Sequence, residues 1–336
     1  MKEIVNKAFS AQILDDEDIF KIVEAISNET AIPEQICAIL GALAVRGVKD
    51  CEIYAFAKHL KSYSKKPVIK SSGLMDVCGT GGDCLNTFNI STAVSIVAAA
   101  SGAKIIKHGA RSVSSNCGSA DVLEELSITI DLENDKLQNM FNALNWAFLY
   151  APNYNETMAK IKKIRNAISA PTLFNLMGPV IHPLDLDYQV IGVYDKKYAK
   201  TLANTLNLSG IKHGAVVYGA NGLDELFLSE GNIIYEAKNN ETTPLKLPEL
   251  SKLGLKEAKI QDIQAKNKKE CAKIISDIFS NNSKNDPKKD IVILNTALCL
   301  YVSDIVKNIK EGTELARTTI EEGKALALLE RLQNVS

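Results

Sequence analysis

From residue 74 onward, short strand-like runs alternate with helix-like runs, and this alternation limits the folds open to the chain. The strand-like runs are LMDVC (74–78), AKIIK (103–107), YQVIGVY (188–194), GAVVYG (214–219) and NIIYEA (232–237). An apolar helix-like stretch, TAVSIVAAASG, separates the first two, and the end of the chain is mostly helix-like. Strands interleaved with helices predict an α/β domain with a mostly parallel central sheet.

The sequence before this alternation has a different pattern. Apolar positions recur there every three or four residues, Pro33 is placed to begin a helix, and Gly47 to end one. We therefore predict a small all-helical domain at 1–66, packed on a large α/β domain formed by 73–152 and 181–336. Helices from about 153–180 are expected to join the small domain.

Charge and cysteine content exclude several classes of protein. The chain has 39 basic and 40 acidic residues, which gives a net charge of −1 and does not favour wholesale nucleic-acid binding. Its seven cysteines include no C-x-x-C pair, so neither a disulfide framework nor a zinc ribbon is indicated. No apolar run approaches the roughly 18–20 residues of a membrane span. These features predict a cytoplasmic protein that does not contact a membrane.

A glycine-dense turn, D-V-C-G-T-G-G-D (76–83), directly follows the first strand-like run. Glycines allow positive φ and let backbone N–H groups approach an anion, although an ordinary tight turn has the same composition. No Gly-Lys-Ser/Thr follows, and Cys84 stands where a dinucleotide-binding motif has its third glycine. The loop therefore favours an anion other than a nucleoside triphosphate or a dinucleotide.

Two further polar segments are placed to bind phosphate. In N-I-S-T (89–92), Ser91 or Thr92 is expected to cap the helix that follows, whose N-terminus would attract an anion. After the second strand, residues 107–121 carry two cations, two glycines and several serines. A plain cap and a solvated loop are the alternatives. Both segments should lie at the carboxyl ends of strands, where open α/β sheets bind ligands.

Asp224 and Glu225 are adjacent carboxylates after the strand GAVVYG. Magnesium prefers a few carboxylates together with substrate phosphates and water. Most Asp-Glu pairs in loops are only surface residues, so this pair gains significance from the phosphate-binding segments that accompany it.

Five motifs, D-V-C-G-T-G-G-D, N-I-S-T, K-H-G-x-R-S-V-S-S, G-S-A-D-V-L-E and G-x-D-E, resemble in order and spacing the anthranilate phosphoribosyltransferase family of tryptophan biosynthesis. The resemblance extends over essentially the whole chain, including FNLMGP at 174–179. It implies the fold of pyrimidine nucleoside phosphorylases, a homodimer, two Mg²⁺ ions, and phosphoribosyl pyrophosphate and anthranilate as substrates. It also suggests a glutamine amidotransferase component as a further partner.

The resemblance also implies roles for individual residues, none of them an acid, base or nucleophile. The metal ligands would be Ser91, Asp224 and Glu225, and the acceptor would contact Gly79, Ala110 and Arg165. The residues implied in binding phosphoribosyl pyrophosphate are Gly79, Gly82, Asp83, Thr87, Asn89, Ile90, Ser91, Thr92, Lys107, His108, Gly109, Ala110, Arg111, Ser112, Val113, Ser114, Ser115 and Ser119.

The chain departs from the family pattern near the acceptor. Ala110 replaces an asparagine that contacts anthranilate, Asn155 replaces a histidine, and Pro171 stands where an arginine is frequent. A different aromatic acid or a nucleobase is therefore an alternative acceptor. A relative that binds nucleic acid without catalysis is a second alternative, against which the balanced charge argues.

Overall fold

The computed structural model describes residues 1–111, 117–282 and 286–335. Four helices precede the first strand: α1 (Lys2–Phe9), α2 (Asp16–Ser27), α3 (Pro33–Arg46) and α4 (Asp50–Ser62). The central part contains β1 (Leu74–Gly79), α5 (Ile90–Ala100), β2 (Lys104–Gly109), α6 (Ser119–Glu125), α7 (Asn134–Leu144), β3 (Trp146–Tyr150), α8 (Glu156–Lys160), α9 (Lys162–Ile168), α10 (Met177–Val180), β4 (Tyr188–Gly192), α11 (Ala199–Leu208), β5 (His213–Tyr218), β6 (Ile233–Lys238) and β7 (Glu241–Pro244). The end contains α12 (Lys268–Phe279), α13 (Pro287–Val302), α14 (Ile309–Glu321) and α15 (Lys324–Asn334).

Local sequence signals explain the N-terminal helices. Asp15 caps α2, because its side chain accepts a hydrogen bond from the Asp18 N–H at 2.9 Å. Pro33 is the first residue of α3, and Gly47 ends that helix with a φ of 83°. The predicted helical start of the chain is therefore confirmed. No helix in the described part of the chain has both the length and the apolar character needed to cross a membrane.

Within the described residues, the strands form one seven-stranded sheet in the order β3-β2-β1-β4-β5-β6-β7. The five strands from β3 to β5 are parallel, whereas β6 and β7 are antiparallel to their neighbours. This confirms the predicted α/β class with a mostly parallel sheet. The strands β3 and β7 were not predicted. A short apolar run such as β3 fits a helix as well as a strand, and the polar residues of β7 form a strand only because they pair with β6.

Two large apolar clusters lie on opposite faces of the sheet. One packs α5 and α12–α15 on the sheet. The other joins α1–α4 to α8–α11, with Phe56 of α4 against Phe174 at a centroid separation of 5.9 Å. The segment 153–180 thus packs on the N-terminal helices, with α8 on α2 and α9 on α3. The domain boundaries at 66 and 73 remain a prediction.

The strand order places the ligand-binding edge of the sheet. The chain leaves β1 through α5 to β2 on one side, and β4 pairs with β1 on the other. Open α/β sheets bind ligands beyond the carboxyl ends of the strands at such a reversal of strand order. The polar segments at 76–83, 89–92 and 107–111 all lie at this edge of the sheet.

Candidate active site

A polar cavity of about 320 Å³ opens beyond the carboxyl ends of β1 and β2. The loop after β5 forms its far wall through Asp224 and Glu225. The full lining is Cys78, Gly79, Thr80, Gly81, Asp83, Asn86, Thr87, Phe88, Asn89, Ser91, Lys107, His108, Gly109, Ala110, Arg111, Cys117, Gly118, Ser119, Asp224 and Glu225. All three of the sequence motifs expected to bind anions, together with the acidic pair, therefore meet in one place.

The glycine turn after β1 makes room for the acidic loop. A Cβ on Gly79 would lie 2.0 Å from Asp224 Oδ2, a distance that no side chain tolerates. The Gly81 N–H donates to the same Oδ2 at 2.7 Å. Gly81 and Gly82 have φ angles of 69° and 88°, which glycine adopts without strain. Gly82, one of the residues predicted to bind the donor, lies in the turn but does not line the cavity.

The segment between this turn and α5 is fixed from a distant part of the chain. The Phe88 N–H donates to Ile263 O at 3.0 Å, and the Ala265 N–H donates to Asn86 O at 2.9 Å. Thr87, predicted to bind the donor, forms an isolated bridge with Gln264. The residues at 86–88 thus line the cavity on a backbone that is hydrogen-bonded to residues 263–265.

Asn89, and not Ser91 or Thr92, caps α5. The Asn89 Oδ1 accepts from the Thr92 N–H at 3.1 Å, so the prediction of Ser91 or Thr92 as the cap was wrong. Ser91 instead lines the cavity. Ile90 and Thr92 are fully buried and do not line the cavity. Their side chains support the helix that presents its N-terminus to the site.

Lys107 places a buried positive charge at the cavity wall. Only 1% of the residue is exposed, and its Nζ donates to Val77 O at 2.8 Å and to Ser91 Oγ at 3.1 Å. Among the described residues, no carboxylate forms an ion pair with it. A buried ammonium group with no carboxylate at ion-pair distance in the described part of the chain favours an anionic ligand at this position.

Three carboxylates, Asp83, Asp224 and Glu225, converge opposite Lys107. One oxygen of each lies within 4.8 Å of the others. Burial and the charge of Asp224 raise the pKa of Asp83 to about 6, and burial followed by repulsion from Asp224 and Asp83 raises the pKa of Glu225 well above its usual value. Glu225 Oε2 is buried and has no hydrogen-bond partner in the described structure. Crowded, under-coordinated carboxylate oxygens fit a hard divalent cation.

Sequence reasoning placed Asp83 with the phosphates and missed its position in this cluster. The signal was weak, because Asp83 and the acidic pair are far apart in the chain and meet only through the order of the strands. It also missed Cys78, Thr80, Gly81, Asn86, Phe88, Cys117 and Gly118 as lining residues. Burial raises the pKa of the Cys78 thiol, which therefore remains neutral and is a poor nucleophile.

His108 lies in the cavity wall as a neutral imidazole. Burial, with a smaller effect of the neighbouring His182, lowers the pKa of His108 to about 3. Its main-chain N–H donates to Asp76 Oδ1 at 3.1 Å, and its ring meets that of His182 edge to face at 5.4 Å. In the ligand-free protein His108 therefore adds no positive charge to the cavity near neutral pH.

The loop after β2 is only partly described. A Cβ on Gly109 would lie 2.1 Å from Ser119 Oγ and 3.0 Å from the Phe148 ring, so a side chain there would displace Ser119. Ser119 Oγ donates to Ala110 O at 3.4 Å, and Arg111 forms a paired ion contact with Glu124 at 2.5 and 2.6 Å. Ser112, Val113, Ser114 and Ser115, predicted to bind the donor, lie outside the described residues.

The expected acceptor residue Arg165 does not line the cavity. It belongs to α9, which packs on α3, and no carboxylate in the described part of the chain pairs with it. Partial burial lowers the pKa of its guanidinium. Arg165 is thus a half-buried cation on the helical side of the molecule, whereas Gly79 and Ala110 are on the cavity side.

Asn155, at the position of the family's histidine, has a structural role. Its Oδ1 caps α8 by accepting from the Met158 N–H at 3.2 Å. Its Nδ2 donates to Leu60 O at 3.2 Å and to Ser64 Oγ at 2.9 Å. The amide therefore ties the end of α4 to the start of α8, and it does not line the cavity.

Comparison with known proteins adds independent information. Residues 2–64 match the model of the helical bundle domain of a glycosyl transferase family, and residues 71–326 match the model of its a/b domain. Anthranilate phosphoribosyltransferase from Thermoanaerobacter sp. (strain X514) is 37% identical over 327 residues, which are 97% of this chain and 96% of that protein. The enzyme of the same name from Priestia megaterium is 38% identical over 334 residues, 99% and 97% of the two chains.

Solved structures agree with these sequence relatives. Anthranilate phosphoribosyltransferase from Thermus thermophilus superposes with a TM-score of 0.91 at 30% identity, over 99% of this chain and 98% of that one. The Saccharomyces cerevisiae enzyme in complex with PRPP and Mg superposes with a TM-score of 0.89 at 28% identity, over 99% and 96% of the two chains.

Proposed function

Because the chain belongs to the anthranilate phosphoribosyltransferase family, we propose that it transfers the phosphoribosyl group of phosphoribosyl pyrophosphate to anthranilate. The observation that carries the proposal is that a buried lysine ammonium group, with no carboxylate at ion-pair distance among the described residues, and three crowded carboxylates line one polar cavity. A diphosphate ester chelated by a divalent cation needs both kinds of charge, the cation for its phosphates and the carboxylates for the metal.

The donor would lie between the glycine turn, the α5 N-terminus and Lys107. The Lys107 ammonium group and the start of α5 supply positive potential to the phosphates. Gly79 and Gly109 allow close approach of the backbone on both sides. The wider donor set also includes His108, which lines the cavity. Gly82, Ile90 and Thr92 do not line it, and their positions favour support of these loops over direct contact.

The metal ligands proposed are Asp224, Glu225 and Ser91, with Asp83 added by its position in the carboxylate cluster. Bound Mg²⁺ would neutralise the pyrophosphate as it leaves. A bound cation would relieve the mutual repulsion of the three carboxylates, and this relief favours its binding. Two ions remain our proposal, as implied by the family resemblance.

The chemical step needs little from the protein beyond positioning and charge. The aromatic amine is neutral near pH 7, so its nitrogen can attack the anomeric carbon directly as the bond to the pyrophosphate oxygen breaks, and the amine then loses a proton to solvent. The neutral His108 and Cys78 fit a site without a nucleophile or general base. Rate would come from alignment and from stabilisation of the leaving group.

We assign the acceptor carboxylate to Arg165, whose guanidinium lacks a carboxylate partner among the described residues. Because Arg165 lies on α9 and Ala110 on the cavity side, the helical part must approach the cavity for both to contact one acceptor. Ala110, in place of an asparagine, removes one polar contact from the acceptor. We therefore expect a weaker affinity for anthranilate than in a protein that has the asparagine, and no change in the reaction.

We also propose a homodimer formed through the N-terminal helices. Several large apolar side chains on and between α1 and α3 are exposed: Phe9, Ile13, Ile32 and Val45, the last at 92%. Large apolar side chains exposed in this number within one helical segment favour burial by a partner. A cytoplasmic location agrees with the seven unpaired cysteines. A glutamine amidotransferase partner remains a prediction.

The test is the loss of anthranilate fluorescence on mixing the protein with phosphoribosyl pyrophosphate and Mg²⁺. We expect turnover that requires Mg²⁺ and releases pyrophosphate in equal amount. A folded protein that consumes no anthranilate at any concentration, but releases pyrophosphate with another aromatic acid, would replace the acceptor and keep the donor assignment. A folded protein that uses no acceptor would overturn the proposal.

A further inference from the structure

The main chain of Leu226, directly after the acidic pair, forms two hydrogen bonds with the buried side chain of Asn295 in α13. Asn295 Oδ1 accepts from the Leu226 N–H at 2.8 Å, and Asn295 Nδ2 donates to Leu226 O at 2.9 Å. The same Nδ2 donates to Ile291 O at 2.9 Å, which fixes the orientation of the amide. Asn295 is only 6% exposed, so all these bonds lie away from water.

The acidic loop is also held on its other side. The Gly219 N–H donates to Leu223 O at 2.8 Å. A Cβ on Gly192 would lie 1.4 Å from Asp224 O, so the loop backbone is seated directly on β4. With contacts before and after it, the acidic pair has a defined backbone position even though its carboxylates repel one another.

Asn295 faces the proposed metal ligands from behind. A small void of about 10 Å³ lies between Asn295 and these residues. Ser91, Asp224, Glu225 and Asn295 all line it. Asn295 does not line the cavity in which the donor is proposed to bind. Any effect of this amide on the site must therefore act through the loop backbone.

We propose that Asn295 is a positioning residue for the metal site: its amide sets the backbone of Leu226, and thereby the angle at which Asp224 and Glu225 meet the cation. This inference rests on the proposed metal site. It assigns to α13, most of which is buried in the core, an indirect part in divalent-cation binding. Helix α13 is a rigid element, so the amide provides a fixed reference for the loop.

The test compares Asn295→Leu with the wild-type protein by titrating Mn²⁺ in the presence of phosphoribosyl pyrophosphate, followed by electron paramagnetic resonance. Leucine has nearly the same volume and leaves the Leu226 N–H and C=O unpaired. We expect the Mn²⁺ dissociation constant to rise about tenfold, because a loop no longer held by Asn295 must be ordered into the ligand geometry when the cation binds. Hydrogen exchange should accelerate in peptides covering 223–229, and the KM for anthranilate should stay nearly constant.

Asn155→Leu is the matched control, because Asn155 is another buried amide with main-chain bonds, at the junction of α4 and α8. It should destabilise the protein without changing Mn²⁺ affinity. If Asn295→Leu does not fold, Asn295→Thr serves instead, because its hydroxyl can bond back to Ile291 O as Thr313 bonds to Ile309 O within α14.

The outcomes separate the two proposals. Wild-type Mn²⁺ affinity in Asn295→Leu or Asn295→Thr, alongside a loss of affinity in Glu225→Gln, would overturn the positioning role alone. Unchanged affinity in Glu225→Gln as well would overturn the metal site on which it rests. An equal loss of Mn²⁺ affinity in Asn155→Leu would show that the effect of Asn295→Leu is general destabilisation, and would overturn the positioning role.

Discussion

At the residue scale, the carboxyl groups of Asp83, Asp224 and Glu225 determine the electrostatics of the site. Their oxygens lie within 4.8 Å of one another, and burial prevents water from screening the repulsion fully. Protonation relieves this repulsion in the metal-free protein, and a divalent cation relieves it more completely. The metal and the proton therefore compete for the same oxygens.

Replacing Asp224 and Glu225 together by alanine should reduce kcat by about a thousandfold, because the charge on the leaving pyrophosphate is no longer compensated. The measurement is steady-state turnover of anthranilate with Mg²⁺ varied. The surface pair Lys252 and Glu249, with side chains 68% exposed, offers a control in Glu249→Ala. Near wild-type rates in the double variant would contradict the metal assignment.

The raised carboxyl pKa values predict a pH effect of defined sign. In the metal-free protein the folded state binds more protons than the unfolded state between about pH 4 and the Asp83 pKa of about 6, so the free energy of unfolding falls as pH rises through that window. Mg²⁺ binds the ionised groups, and the increase in Tm that it causes should therefore grow from about pH 5 to about pH 7. Calorimetry with and without Mg²⁺ measures this, and Asp83→Asn should flatten the dependence.

At the element scale, glycines in the strands and turns determine how closely the acidic loop approaches the sheet. Gly79→Ala would place a methyl group 2.0 Å from Asp224 Oδ2 and displace that carboxylate. We expect kcat/KM for the donor to fall by at least about tenfold. Gly41→Ala in α3 is the control, since its Cβ meets nothing within 4 Å. Equal activity of the two variants would show that Asp224 can shift without consequence.

The elements were predictable to the extent that their signals were local. Pro33, Gly47 and the apolar run of α5 carry their meaning within a few residues, and the corresponding helices are confirmed. The cap of α5 was predicted wrongly because asparagine, serine and threonine are all good caps. Which of them caps the helix depends on where the preceding loop is held, here by the bond between Phe88 and Ile263.

The site was predictable in its motifs but not in its full composition. Asp224 and Glu225 are neighbours in sequence, so their pairing was visible at once. The contact between Gly81 and Asp224 joins positions 143 apart, and only the order of the strands brings them together. Asp83 as a member of the carboxylate cluster and Asn295 as a support of Leu226 share this reason for being missed.

At the scale of the whole molecule, the acceptor proposal depends on the placement of the helical part. Arg165→Ala should raise the KM for anthranilate by about tenfold or more with a smaller change in kcat, because it removes binding to the acceptor carboxylate. The KM for phosphoribosyl pyrophosphate should stay constant. Kinetics with each substrate varied in turn measure both values, and an unchanged KM for anthranilate would remove Arg165 from the acceptor site.

The exposed apolar side chains predict the assembly. Phe9→Asp combined with Val45→Asp should convert a dimer into a monomer, because two charges would be placed at an apolar contact. Light scattering after size-exclusion chromatography gives the mass directly. Ile305→Asp, at an exposed apolar residue near α13, is a control that should leave the mass unchanged. A wild-type monomer would contradict the dimer proposal.

The bonds that join residues 86–88 to 263–265 also bear on how the protein is made. On the ribosome, β1, α5 and β2 emerge long before Ile263, and β1 at that stage lacks its neighbour β4. A central strand with an open edge invites pairing with other chains. We therefore expect the nascent chain to be prone to aberrant pairing until β4 emerges, and phosphate binding to arise only after residue 265 has been made.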